Sequence, residues 1–196
     1  MWQKFFPDYY YESVFEIPYK ELKQKDIKAL IFDIDNTLVP YHVRRPPTKT
    51  ATLLARLQKM GFKVCLLSNN GRNRMETFNE HLKLPAFHFG LKPLPGKAKQ
   101  ILKQINVEPQ HAAIIGDQVF ADVWCGKRLK LTTILIKPID KKDAVTVRVK
   151  RVFEKFVFKS YLKKKMADEA GVPASGKINS GPESQNTDGT IAPGNA

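Results

Sequence analysis

Short apolar runs alternate with stretches of helical periodicity along residues 27–137 of this 196-residue chain. The apolar runs predict buried strands at 27–32, 62–67, 86–89, 112–115 and 132–136. Between them, hydrophobic side chains recur every three or four positions, which predicts amphipathic helices. Strands and helices that alternate in this way predict an α/β fold, a parallel sheet with helices on both faces.

The remaining segments differ from this core in composition. Residues 1–26 are an aromatic-rich extension, whose rings we expect to pack on the domain, with interfacial anchoring as the alternative. Residues 141–166 predict a basic amphipathic helix. Residues 167–196 are rich in Gly, Pro, Ser and Asn and predict a disordered tail. The sequence therefore predicts a core at 27–140 with three appended segments.

Polar side chains follow four of the predicted strands at the point where each strand ends. They are Asp33, Asp35 and Thr37; Ser68 and Asn69; Lys92; and Asp117 and Asp122. Because the carboxyl ends of parallel strands meet at one edge of a sheet, where ligands bind in open α/β folds, we expect these side chains to lie together. A carboxylate there suits a nucleophile for phosphorus or an oxygen ligand for Mg²⁺.

Each of these residues also has a structural explanation. Asp, Asn and Thr favour turns, Ser68 is compatible with a turn, and Lys92 is compatible with a solvated loop. Asp117 suits a helix cap, and Asp122 suits the first turn of a helix, where the dipole favours an acid. Taken singly, the residues leave both explanations open, and it is their combined order along the chain that favours a site.

Four short motifs resemble those of the haloacid dehalogenase (HAD) superfamily phosphatases. They are Asp-Ile-Asp-Asn-Thr-Leu at 33–38, Leu-Ser-Asn-Asn at 67–70, Leu-Lys-Pro at 91–93 and Gly-Asp-Gln-Val-Phe-Ala-Asp at 116–122. Within the superfamily, the stretches Leu-Ser-Asn-Asn-Gly-Arg-Asn-Arg, Lys-Pro-Leu-Pro and Gly-Asp-Gln are similar to those of the YqeG-type class III (subfamily IIIA) phosphatases. That group in turn resembles the mitochondrial phosphatidylglycerophosphate phosphatases.

The resemblance implies a Rossmann-like HAD domain and a Mg²⁺-dependent phosphomonoester hydrolase that works through an aspartyl phosphate. It implies that Asp33 is the nucleophile and Asp35 the general acid and base. Magnesium would be bound by Asp33, the main-chain carbonyl of Asp35, and Asp117. Ser68 and Lys92 would contact the transferring phosphoryl group, and Asp122 would orient Lys92 or hold a metal-bound water, with Thr37 and Asn69 in support.

The spacing of the motifs leaves no room for the cap domain that many HAD enzymes carry. Only 35 positions separate Asp33 from Ser68, and 24 separate Ser68 from Lys92. An uncapped site is open to a phosphate on a large carrier, such as a lipid bilayer, a protein or a nucleic-acid end. Weaker candidates for contacts with the substrate are His42, Arg44, Arg45 and Arg72.

The chain is strongly basic, with a formal net charge of +14 at pH 7. Such a charge attracts polyanions without choosing among them. In residues 141–166, ten bases face two acids, which fits either an anionic-membrane contact or a helix packed on the core with solvated lysines. Nucleic acid is the less favoured partner, because no motif of a known nucleic-acid module is present.

The four histidines and two cysteines have no metal-ligand spacing, and no run approaches the length of a membrane span. The aromatic amino terminus does not resemble a signal peptide. We therefore expect a cytoplasmic protein that contacts the inner membrane surface peripherally.

The favoured substrate is phosphatidylglycerophosphate, in phosphatidylglycerol synthesis. The alternatives are a phosphatase for nucleotides, sugar phosphates or phosphoprotein, and a non-catalytic HAD scaffold that binds nucleic acid or ribosomes. The sequence leaves the oligomeric state open.

Overall fold

The computed structural model describes residues 3–140 and 159–166. In residues 3–140 six strands alternate with five α-helices. The strands are β1 (Tyr9–Tyr11), β2 (Ala29–Phe32), β3 (Lys63–Leu67), β4 (Ala86–Phe87), β5 (Ala112–Gly116) and β6 (Thr132–Ile136), and the helices are α1 (Tyr19–Gln24), α2 (Thr48–Lys59), α3 (Arg72–Asn79), α4 (Gly96–Gln104) and α5 (Trp124–Leu129). The part of the predicted basic helix at 141–158 and the predicted tail at 167–196 lie outside the described residues, whereas 159–166 is helical.

All six strands are parallel, in the order β1-β6-β5-β2-β3-β4. Phe32, the last residue of β2, lies beside Leu66 of β3 and Ile115 of β5. The residues that follow these three strands therefore emerge at one edge of the sheet. This edge is where the sequence predicted a site.

Helices cover both faces of the sheet, as predicted. Phe32 is fully buried in the cluster that packs under α1, α2 and α3, whereas its neighbour Ile31 is buried in the cluster under α4 and α5. Strands covered on both faces are apolar along their whole length, which is why β2 and β5 have the sequences Ala-Leu-Ile-Phe and Ala-Ala-Ile-Ile-Gly.

The predicted strand at 86–89 is shorter than expected. It ends at Phe87, and the backbone at Phe89 has a φ of +47°, which a strand cannot contain. The helix expected between the predicted strands at 112–115 and 132–136 is also divided, because a π-helical turn at Val119–Val123 precedes α5.

The amino-terminal segment forms β1, which the sequence did not predict. It is the outermost strand of the sheet, beside β6. Asp8 fixes its position, because its carboxylate accepts hydrogen bonds at 2.8 Å from the main-chain N–H and the hydroxyl of Thr133. Phe5 is 8% exposed and contacts the rings of Phe120 and Trp124 edge to face. The expectation that the aromatic rings pack on the domain is confirmed for Phe5.

No separate cap is inserted in the described core. Between β2 and β3 lie a loop and α2, and between Ser68 and Lys92 lie α3 and β4. None of the helices in the described residues is long and apolar enough to cross a membrane.

Candidate active site

A buried lysine joins two carboxylates at the carboxyl edge of the sheet. Lys92 Nζ lies 2.6 Å from Asp33 Oδ1 and 2.6 Å from Asp122 Oδ1, and it also donates to the main-chain oxygen of Leu67 at 3.0 Å. The three charged side chains are each no more than 7% exposed. The sequence thus predicted correctly that three separate motifs meet, and Lys92 connects them.

Two local features hold this cluster in place. The Asn69 side chain brackets the main chain of Lys92, accepting from its N–H at 2.8 Å and donating to its carbonyl at 3.2 Å. Asp122 lies in the π-helical turn, where its Oδ2 accepts from the Gln118 N–H at 3.1 Å. Gly116 leaves room for it, because a Cβ at that position would stand 2.1 Å from Asp122 Cγ.

The charges in the cluster shift each other's protonation. Burial, opposed by Lys92 and reinforced by Asp122 and Asp35, raises the pKa of Asp33 to about 7. Burial alone would lower the pKa of Lys92, but the two carboxylates outweigh it and raise that pKa. When all three are ionised, Asp33, Asp122 and Lys92 together carry a net negative charge in a buried site. A bound cation would offset that charge.

One oxygen in this cluster is buried and lacks a partner. Asp33 Oδ2 has no hydrogen-bond partner among the described residues. Nearby in the same motif, Thr37 donates to Asp117 Oδ1 at 3.4 Å, and both residues are buried. Buried carboxylate oxygens such as those of Asp117 are the ligands that Mg²⁺ prefers.

The donor set fits a magnesium ion that keeps other oxygen ligands. In the described residues no group of three or more His, Cys, Asp or Glu side chains could hold a metal. Magnesium is commonly bound by one or two carboxylates together with waters and substrate phosphate. Asp33 and Asp117, with the Asp35 carbonyl, match that pattern.

Asp35 is held by two residues that the sequence analysis did not single out. Arg74 donates to Asp35 Oδ1 from Nε at 3.0 Å and from Nη2 at 2.8 Å, and Asn70 Nδ2 donates to Oδ2 at 2.6 Å. The remaining guanidinium nitrogen of Arg74, Nη1, donates to the main-chain oxygen of Arg44 at 2.8 Å. Arg74 therefore fixes the orientation of Asp35 and ties α3 to the loop after β2.

Ser68 is buried and contacts the main chain of Asn70. Its Oγ accepts from the Asn70 N–H at 3.1 Å, so the hydroxyl hydrogen stays available for another acceptor, while that amide is already used. Ser68 could therefore donate to a phosphoryl oxygen through its hydroxyl, whereas the Asn70 N–H is already bonded to Ser68 itself.

Comparison with known proteins identifies the family. A family model for haloacid dehalogenase-like hydrolases matches residues 44–129. Over 166 residues the chain is 31% identical to the probable phosphatase YqeG of Bacillus subtilis (strain 168), covering 84% of this chain and 96% of that protein. This chain belongs to the haloacid dehalogenase-like hydrolases and is a phosphatase of the YqeG type. The predicted family and fold are thereby confirmed.

Two further relatives of this HAD phosphatase share less of their length with it. A glyceraldehyde 3-phosphate phosphatase of Pyrococcus furiosus is 29% identical over 60% of this chain and 52% of its own length. Phosphatidylglycerophosphate phosphatase 1, chloroplastic/mitochondrial, of Arabidopsis thaliana is 23% identical over 76% of this chain and 45% of its own length. The chain spans about half the length of each of these two proteins.

The contacts described for the weaker substrate candidates of the HAD phosphatase do not involve Lys92, Asp33 or Asp122. His42 is exposed and 3.7 Å from Asp140, and Arg45 pairs with Glu80 at 2.7 Å. Arg72 pairs with Glu76, four residues on in α3, at 2.6 Å. Within the described residues, the Arg44 main-chain oxygen accepts a hydrogen bond from Arg74. These contacts leave substrate binding by the four residues as a prediction.

Replacing Arg74 tests whether the orientation of Asp35 matters for turnover. In Arg74→Ala, Asp35 Oδ1 loses two charged hydrogen bonds, so we expect destabilisation of about 1–3 kcal/mol and a fall in kcat on the order of 10–100-fold. Arg74→Lys keeps the charge but not both donors, so it should recover part of each loss. Urea unfolding and steady-state kinetics measure both effects.

A matched control is Glu76→Ala on the same helix, whose exposed pair with Arg72 contributes little. Equal kinetics in the Glu76→Ala and Arg74→Ala proteins would show that Arg74 does not act through Asp35.

Proposed function

We propose that this HAD phosphatase hydrolyses phosphatidylglycerophosphate at a membrane surface, with Mg²⁺ and through an aspartyl phosphate on Asp33. The observation that carries the proposal is the buried, unpartnered Asp33 Oδ2 next to Lys92. Lys92 occupies Oδ1 and leaves Oδ2 as the oxygen available to attack phosphorus. An attacking carboxylate must be ionised, and the Lys92 charge favours that form.

The proposed reaction has two displacement steps. First, Asp33 Oδ2 bonds to phosphorus as the phosphorus–alkoxide bond breaks, and the leaving oxygen takes a proton from Asp35. Asp35 then accepts a proton from a water that attacks the aspartyl phosphate, which breaks the bond to Asp33 and releases inorganic phosphate. For this purpose Asp35 has to exchange one of its present contacts, with Arg74 or Asn70, for the substrate oxygen or the water.

Other residues would stabilise the charge that develops on the phosphoryl oxygens. Lys92 supplies a fixed positive charge, which Asp122 keeps in position, and Ser68 supplies a hydroxyl. Magnesium, held by Asp33, Asp117 and the Asp35 carbonyl, would neutralise phosphate charge when bound.

The choice of substrate has two supports. The described core carries no cap over the site, so a phosphate on a bilayer surface could reach Asp33. The Arabidopsis relative, which acts on phosphatidylglycerophosphate according to its name, matches over 76% of this chain. The Pyrococcus relative, named for glyceraldehyde 3-phosphate, makes a small phosphate the competing substrate class.

A panel of phosphomonoesters decides between these classes. We expect the highest kcat/KM on phosphatidylglycerophosphate in vesicles. Removing Mg²⁺ with EDTA should abolish turnover, and adding Mg²⁺ back should restore it. The panel includes glyceraldehyde 3-phosphate, a nucleoside monophosphate, a sugar phosphate and a phosphopeptide. A higher kcat/KM on any of these soluble compounds would overturn the lipid assignment, and no turnover on the whole panel would overturn the phosphomonoesterase proposal.

A further inference from the structure

Three large apolar side chains stand exposed in the segment that carries Lys92. Phe89 is 55% exposed, Leu91 61% and Leu94 53%. We call residues 89–94 the apolar loop. Because the Lys92 side chain reaches Asp33, this loop forms part of the rim of the candidate active site.

The apolar loop is firmly attached to the core. The Phe89 N–H donates to the Asn70 carbonyl at 2.9 Å, and the Gly90 N–H donates to the Ser68 carbonyl at 2.8 Å. A Cβ at Gly90 would lie 3.1 Å from that Ser68 oxygen, so the main chain runs close against the end of β3. With its backbone bonded in this way, the loop holds the apolar side chains outward.

Two of the three residues occupy a conformation that glycine adopts more easily. Phe89 has a φ of +47° and Leu91 a φ of +51°, which is unfavourable for bulky side chains. Both side chains are exposed, so burial in the core does not account for them. A strained backbone with exposed apolar groups at the rim of a site points to contact with a partner.

The charge around the apolar loop favours a negatively charged partner. Residues 81–107 contain four lysines besides the buried Lys92, and no Asp or Glu. Lys97, in the first turn of α4, is three positions beyond Leu94, and Arg128 donates to the Pro93 carbonyl at 3.3 Å. An anionic bilayer offers apolar depth and negative charge together. A second copy of this chain would instead bring the same basic surroundings and be repelled.

We propose that the apolar loop inserts Phe89, Leu91 and Leu94 into the interface of an anionic bilayer and thereby places Asp33 beside a lipid phosphomonoester. The proposal rests on the phosphatase function proposed above and assigns its membrane contact to this rim. It differs from the expectation for residues 141–166, whose contact would be made by basic side chains elsewhere in the sequence.

Glycine substitutions test the loop without disturbing its backbone. In Phe89→Gly/Leu91→Gly the positive φ values become favourable, so the protein should unfold at the same or a higher temperature. Sedimentation with vesicles of equimolar phosphatidylcholine and phosphatidylglycerol should show the wild-type chain bound. For the double variant we expect partitioning to fall by at least about tenfold, because two apolar side chains no longer enter the interface.

Asn106→Gly is the matched control. Asn106 is exposed with a φ of +50°, and it precedes β5, at the opposite edge of the sheet. The variant makes the same kind of backbone change with no apolar loss, so its vesicle binding should equal that of the wild type. Turnover of phosphatidylglycerophosphate in vesicles, divided by turnover of para-nitrophenyl phosphate, should fall in the double variant and stay constant in the control.

A fluorescent label reports the depth of the loop directly. Cys65 and Cys125 are both buried, so a thiol probe attaches selectively to Leu94→Cys. With vesicles present, an environment-sensitive dye at position 94 should shift to shorter wavelength. The same dye on Gln110→Cys, at the opposite edge of the sheet, should not shift.

Each outcome decides the proposal. Vesicle binding by the double variant at the wild-type level, or no binding by the wild type, would overturn it. A wild-type dimer that becomes a monomer in the double variant, without vesicle binding, would assign the loop to self-association and also overturn it. If the wild type binds vesicles through the loop but hydrolyses neither substrate, the docking stands and the proposed phosphatase function fails.

Discussion

Asp33→Asn is expected to abolish phosphate release while the protein stays folded. An amide cannot attack phosphorus, so kcat should fall by on the order of 10³-fold or more. The side-chain carbonyl of the asparagine can still accept the hydrogen bond from Lys92. Its NH2 group then takes the position of the unpartnered Oδ2. Steady-state assays on phosphatidylglycerophosphate and para-nitrophenyl phosphate measure the loss.

The same substitution should change how the stability of the metal-free protein depends on pH. The pKa of Asp33 is raised to about 7 in the folded protein, above the unfolded value of about 3.9. The folded state therefore binds more protons between these values, and the free energy of unfolding falls as pH rises through that range. Asp33→Asn lacks this contribution, so in EDTA it should lose less stability towards neutral pH.

Two comparisons make the Asp33→Asn result decisive. Asp26→Asn replaces an exposed aspartate that precedes β2, at the opposite edge of the sheet, and should leave kcat unchanged. Mg²⁺ should raise the melting temperature of the wild type and not that of Asp33→Asn, because the ion loses a ligand. Turnover of Asp33→Asn at the wild-type rate would exclude Asp33 as the nucleophile.

The parts of the site that the sequence predicted follow from the geometry of parallel strands. Asp33, Ser68 and Asp117 each come directly after an apolar run, and such runs register side by side. Once the runs are recognised as neighbouring strands, the polar residues after them must share an edge. Lys92 was placed there from the predicted strand at 86–89; the strand ends earlier, at Phe87, but the Lys92 side chain still reaches Asp33.

The parts of the site that the sequence did not predict depend on the direction in which a side chain points. The order of residues along the chain does not give that direction. Arg74 lies on a helix surface, and only the packing of α3 decides that it points to Asp35. One local signal was available: Arg72 and Arg74 occupy the first turn of α3, where the helix dipole disfavours positive charge. Strand β1 was missed because Tyr9–Tyr11 is a run of three identical residues with no apolar–polar alternation.

Gly116→Ala should damage the site and the fold together. The new Cβ would stand 2.1 Å from Asp122 Cγ and 2.5 Å from Asp122 Cβ. A displacement of the carboxylate tip alone cannot relieve contacts that include Cβ, so the π-helical turn has to move. Lys92 would then lose one of its two buried carboxylates. We expect destabilisation of about 3–5 kcal/mol by urea unfolding, and a large fall in kcat in the fraction that remains folded.

Gly96→Ala is the matched control, because no atom lies within 4 Å of a Cβ there. It stands in the first turn of α4, so alanine should be neutral or stabilise by about 0.5–1 kcal/mol. Asp122→Gly completes the test: with Cβ and the carboxylate both removed, adding Gly116→Ala should cost little further stability, although neither variant should regain activity. Additive losses in this double-mutant cycle would contradict a direct contact between positions 116 and 122.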